Sequence, residues 1–122
     1  MRNRAFVLLG LVSILAACQS GGDSSSSAGA GANAEKGKQL YATVCITCHG
    51  PTGEGIQGLG KSLQANAFVK AKSDDEVVAM LKEGRTADHP ENTTKVAMPP
   101  KGGNPGLTDQ DLKDIVAFLR TL

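Results

Sequence analysis

The chain has 122 residues, with 13 Lys and Arg against 12 Asp and Glu, a formal net charge of +1, one Tyr and no Trp. That length bounds it to one small domain plus whatever leader it carries. The near-zero charge argues against nucleic acid as a partner and against strong electrostatic steering.

The first residues carry the pattern of an export signal. Arg2 and Arg4 precede apolar residues from Ala5 to Leu9, Gly10 interrupts, and Leu11 to Ala17 complete the run. A membrane-spanning helix needs about 20 apolar residues, so a signal peptide over residues 1–17 is expected rather than an uncleaved anchor. Its end, Leu15-Ala16-Ala17-Cys18, resembles the lipobox of bacterial lipoproteins. That resemblance implies cleavage before Cys18 and lipid modification of Cys18, which makes it an anchor to the membrane and not a redox thiol. Lipoproteins of this kind carry several acyl chains, and more than one chain holds stably where a single chain binds marginally.

Residues 18–33 form the next unit, rich in Gly, Ser and Ala and including Ser24-Ser25-Ser26-Ser27. Such a segment buries too little apolar surface to offset its ordering entropy, so a flexible leash is expected. Its root-mean-square span is roughly 20 Å, enough for a tethered domain to sample partners near its membrane. Arg2, Arg4 and Asp23 lie outside residues 34–122, so the remaining domain is formally neutral.

Within 34–122 the patterning is helical. Ala34 to Val44 holds good helix formers, with Gly37 and Tyr41 on one face. Cys45-Ile46-Thr47-Cys48-His49 follows directly. Gly50 to Gly60 reads as a glycine-rich loop, and a short helix is expected around Asn66 to Lys72. Ser73-Asp74-Asp75-Glu76 is a capping box ahead of Val77, Met80 and Leu81, with Gly84 as the stop. Thr108 opens a last helix with the face Leu112, Ile115, Val116 and Leu119. No alternating run reads as a strand. An all-α domain of three to four helices is predicted.

The segment C-x-x-C-H is the attachment sequence for c-type haem. Thiols three positions apart reach the two vinyl groups of one porphyrin, and the adjacent histidine lands beneath the iron. Cys45 and Cys48 are thus expected as thioethers and His49 as the proximal iron ligand of one covalently bound haem c. A structural zinc site would need four ligands, and beyond this cluster the domain offers only His89. A thioredoxin-like dithiol would need a strand and βαβ context. With only Tyr41, Phe68 and Phe118 as aromatics within residues 34–122, so small a core also gains greatly from a large apolar cofactor inside it.

Over nearly its whole length the domain resembles a class I monohaem cytochrome c. Glu35-Lys36-Gly37-Lys38-Gln39-Leu40-Tyr41 leads into the haem motif as in that family, and Asp114-Ile115-Val116-Ala117-Phe118-Leu119 is similar to its closing helix. The resemblance implies a cytochrome c fold around one haem, with Gly37 locking the first helix onto the Ile115 and Phe118 face of the last.

The second axial ligand decides the function, since haem with both sites filled transfers electrons and an open site binds small ligands. The candidates are Met80, Met98 and His89. Met80 lies on an amphipathic helix face, where core filling is its simplest role. His89 sits in the loop Asp88-His89-Pro90. Met98 lies in Val96-Ala97-Met98-Pro99-Pro100, where the prolines stiffen the chain, and this segment resembles the family's distal methionine loop. The resemblance implies His49 and Met98 as axial ligands, with a raised potential.

The chain departs from the family pattern at Gly58-Leu59-Gly60-Lys61-Ser62-Leu63, which lacks the proline often found near the proximal histidine. The acceptor for the His49 Nδ1 proton is therefore open, while Leu63 is expected to wall the haem. Without Trp, Arg85 and Lys95 are the candidates to face the haem propionates. Gly55 to Ser62 formally satisfies the phosphate-binding pattern G-x-x-x-x-G-K-S, but it follows a haem-binding turn rather than a strand, so no nucleotide is expected. Asn92-Thr93-Thr94 matches a glycosylation site and reads as surface loop.

The expected function is that of a lipid-anchored, extracytoplasmic carrier on the periplasmic face, passing single electrons between a redox protein donor and an acceptor. It needs no catalytic acid or base, and docking at the haem edge would be aided by Lys61 or Lys101. The competing readings are a subunit of a larger dehydrogenase or terminal reductase, and a ligand-binding or peroxidase-like haem protein.

Overall fold

The computed structural model describes residues 31–122. The expected signal peptide, Cys18 and nearly all of the linker lie outside the described residues. Helix α1 spans Ala34–Val44. Its N-cap is Asn33, whose side-chain oxygen accepts from the Lys36 amide at 3.0 Å. One residue later, α2 (Ile46–His49) coils the haem motif itself into a single helical turn.

After the glycine loop comes α3 (Ala67–Ala71), capped by Asn66, whose side chain accepts from the Phe68 and Val69 amides. Helix α4 spans Asp74–Glu83. It begins with the expected capping box: the Ser73 hydroxyl accepts from the Glu76 amide at 3.3 Å, and the Glu76 carboxylate accepts from the Ser73 amide at 2.8 Å. That amide, with the Ser73 hydroxyl and Lys72, holds the Glu76 carboxyl down to about 2. A 3₁₀ turn at Pro100–Gly103 precedes α5 (Asp109–Leu119), which has a second capping box between Thr108 and Asp111.

The fold is all-α, and among the described residues only isolated bridges stand in place of strands. Five α-helices form among the described residues, more than the three to four expected, because the haem motif makes its own turn.

The largest helix–helix contact is that of α1 with α5. It buries Tyr41 against Leu112, Ile115, Val116, Phe118 and Leu119. Removing side chains of this size from water contributes about 1.5 to 3 kcal/mol each. Gly37 sits at the crossing, where a Cβ would run into the Asp114 carbonyl and come within 3.0 Å of the Ile115 nitrogen. The atoms nearest that position are thus the backbone of Asp114 and Ile115 in α5. Phe118 meets Tyr41, with ring centroids 5.2 Å apart and planes tilted by 58°.

Asp114 is the charge inside this seam, with a relative exposure of 2%. Its carboxylate accepts from the Asn33 amide and the Gln110 side chain, each at 2.9 Å, and pairs with the Lys36 ammonium at 3.1 Å. Burial opposes its charge, but the Asn33 amide, Gln110 and Lys36 outweigh that and hold the carboxyl below the ordinary range. At the other end of α5, Arg120 donates to Asp74, to the Lys72 carbonyl at 2.7 Å and to the Val69 carbonyl, tying the α3–α4 junction down.

Candidate functional site

Helix α1 delivers the chain to Cys45, and the single turn of α2 then places Cys45, Cys48 and His49 together along one cleft. The rest of the lining is largely apolar and comes from every other element: Leu59 and Leu63 from the glycine loop, Phe68 and Val69 from α3, Met80 and Leu81 from α4, Ile115 and Leu119 from α5. Leu63 is thus where a haem wall was expected.

The imidazole of His49 is oriented by the glycine loop. Its Nδ1 lies 2.7 Å from the backbone carbonyl of Lys61. A carbonyl only accepts, so Nδ1 carries the proton and Nε2 keeps its lone pair for a metal. This supplies the acceptor that the sequence left open. The loop comes close enough because residue 60 is Gly: a Cβ there would overlap the Cys48 carbonyl. The Ile56–Gly60 bridge then closes the loop on itself, so the stretch resembling a phosphate-binding loop is a turn clasped against the haem motif.

Of the distal candidates, Met98 and Met80 both reach the cleft and both are partly buried. His89 does not line it; its Nδ1 accepts from the Glu91 amide at 3.2 Å in the neighbouring loop. Met98 is anchored by a reciprocal pair of backbone hydrogen bonds with Arg85, 2.8 Å each way.

Arg85 lines the cleft, with its guanidinium over the Phe68 ring at 4.3 Å and an ion pair to Glu91 at 2.7 Å. Lys95 lies off the cleft lining. Lys101, expected as a docking charge, is turned inward: its ammonium donates to the carbonyls of Leu107 at 2.7 Å and Pro105 at 3.3 Å. Asn92, expected in a surface loop, is buried at 8% exposure, and its side chain is fully engaged in hydrogen bonds.

The cleft fits a haem by the chemistry of its donors. An apolar slot suits the flat ring, the adjacent thiols suit its vinyl groups, and a neutral imidazole with Nε2 free suits its iron. Burial, with a smaller contribution from Cys48, pushes the Cys45 thiol up to about 11.

Comparison with known proteins agrees with this chemistry. A family model described as cytochrome c matches residues 34–122, a stretch that holds all five helices and the cleft. The chain is also 32% identical over 84 residues to cytochrome c-555 of Prosthecochloris aestuarii, covering 68% of this chain and 81% of that protein. The domain that begins at Ala34 therefore belongs to the class I cytochrome c family, whose members bind haem c covalently and transfer electrons.

Proposed function

We propose that this protein is a membrane-anchored monohaem cytochrome that passes single electrons between extracytoplasmic redox proteins, with Cys45 and Cys48 as the thioether sites, His49 as proximal ligand and Met98 as distal ligand. Bound in this cleft, haem supplies a one-electron couple at its iron. The observation that carries the reading is the convergence of the His49 imidazole, held as the Nδ1–H tautomer by Lys61, and the Met98 segment on one apolar cleft.

The chain's own part is positioning and exclusion of water. Lys61 fixes the imidazole plane, the Arg85 pairing fixes the base of the Met98 segment, and the aliphatic walls keep the surroundings of low dielectric. Met80 is the competing sulfur, but it sits on the regular α4 face, whereas Met98 lies in a non-helical segment held by the Arg85 backbone pair and followed by two prolines. Among the described residues no helix is long and apolar enough to cross a membrane. The lipobox at Cys18 is what supports anchoring and export.

The test is the optical spectrum of the mature holoprotein, oxidised and reduced. The weak charge-transfer band of iron–methionine bonding is expected in the parent and in Met80→Leu, and lost in Met98→Ala. A parent without that band, whose reduced form binds carbon monoxide rapidly and completely, would instead be a ligand-binding haem protein.

A further inference from the structure

The loop that carries Met98 has an organiser of its own. Residues 86–97 leave α4 and return to the cleft with no helix or strand among them, and they are closed at the base by the Arg85–Met98 backbone pair. Just inside that base, the side-chain nitrogen of Asn92 donates to the carbonyl of Thr86 on the outgoing leg and to that of Val96 on the returning leg, both at 2.8 Å. Its oxygen accepts from the Thr94 hydroxyl and the Lys95 amide, both at 3.1 Å. Two donors and two lone pairs are all such an amide has, and all are used. The last of these bonds also holds Lys95 in a left-handed backbone conformation at φ 58°, which a residue with a Cβ adopts only under constraint.

We propose that Asn92 is the positioning residue for the distal ligand: by stapling the two legs of the loop it keeps the Met98 sulfur on the cleft and the sixth iron site closed. The inference rests on the reading of Met98 as that ligand. Without the staple, two carbonyls lose their donor, Lys95 loses its restraint, and the loop is left to the Arg85–Met98 backbone pair, the Arg85–Glu91 ion pair and its own turns. The population with Met98 swung away then rises, while the α1–α5 core, which shares none of these bonds, is unchanged.

Imidazole titrated into the oxidised holoprotein reads that population, because an exogenous ligand binds only the open form and its apparent affinity scales with the open fraction. Asn92→Ala and the isosteric Asn92→Asp, which lacks the donors to both legs, are each expected to raise imidazole affinity by about tenfold or more. If Asn92→Ala fails to fold, Asn92→Asp decides alone.

Arg120→Ala, which unties the α3–α4 junction and removes no hydrogen bond of the loop, is the control for general loosening. It is expected to lower the unfolding midpoint and leave imidazole affinity within about twofold of the parent. Affinities within about twofold of the parent in the Asn92 variants, or an equal rise in Arg120→Ala, would overturn the proposal. Met98→Ala separates the two layers. A large rise that no longer responds to Asn92 supports both, whereas parental affinity in Met98→Ala removes the ligand assignment itself, and the proposal with it.

Discussion

The carbonyl of Lys61 accepts the Nδ1 proton of His49 at 2.7 Å, so the tautomer of this cleft-lining imidazole is set by a backbone atom twelve residues away. That bond depends on the Gly60 backbone lying against Cys48. Gly60→Ala is expected to destabilise the holoprotein by about 1 to 3 kcal/mol, the usual cost of overpacking. Denaturant unfolding measures it, and a midpoint equal to the parent's would show that the loop yields without cost.

At the helix crossing the sign of the effect is diagnostic. Replacing Gly by Ala inside an unobstructed helix gains about 1 kcal/mol. At Gly37 the new Cβ meets the Asp114 carbonyl, a backbone atom of a packed helix that cannot rotate away. Gly37→Ala is expected to lose about 3 kcal/mol or more, since two helices must separate to admit it. Thermal unfolding checks it, and a stabilised variant would mean that the crossing is looser than described.

Tyr41 is the single tyrosine of the chain, so its titration can be followed directly. Burial pushes its hydroxyl up to about 12, and it donates to the Gly50 carbonyl at 2.7 Å. In the unfolded chain the group titrates near its ordinary value of about 10. Its contribution to stability is therefore fully present below about pH 10 and is lost as pH rises toward about 12. Ultraviolet difference titration of the folded protein should place the phenolate transition near about 12, and a transition at the ordinary value would contradict the burial.

The acid limb has the opposite sense. Asp114 and Asp111 are both held below the ordinary carboxylate range, Asp114 against its own burial by the Asn33 amide, Gln110 and Lys36, and Asp111 by Lys36 and Thr108. Groups with lowered folded values contribute stability above the unfolded value of about 4, and that stability is lost as pH falls through the folded value. Unfolding measured from neutral to strongly acid pH should show this decline in the parent and a shallower one in Asp114→Asn. Equal slopes would remove Asp114 from the acid response.

The helix starts at Ser73 and Thr108 could be read from sequence because a capping box is local: the residues that satisfy the first amides are the ones that follow. C-x-x-C-H was legible for a similar reason, since the spacing itself is the chemistry. What escaped reading depends on contacts distant in sequence. The acceptor for His49 is a main-chain oxygen, which no residue type advertises. Nothing in its neighbours marks Asp114 as buried, because its partners Asn33 and Lys36 come from the start of α1. Asn92 lies in a polar run that reads as surface, and its burial follows only from the two loop legs closing around it. Lys101 looked free because the carbonyls it meets belong to the approach to α5.

Helix α1 has two ends with different duties. At one, Asn33 is fastened to Asp114, and Gly31 accepts from Gln110 at 3.0 Å. The other runs into Cys45, roughly 16 Å away for eleven residues at about 1.5 Å each. Whatever precedes residue 31 therefore joins the domain at the pole remote from the haem motif. A pull at that pole would load the α1–α5 seam in shear before it reached Cys45.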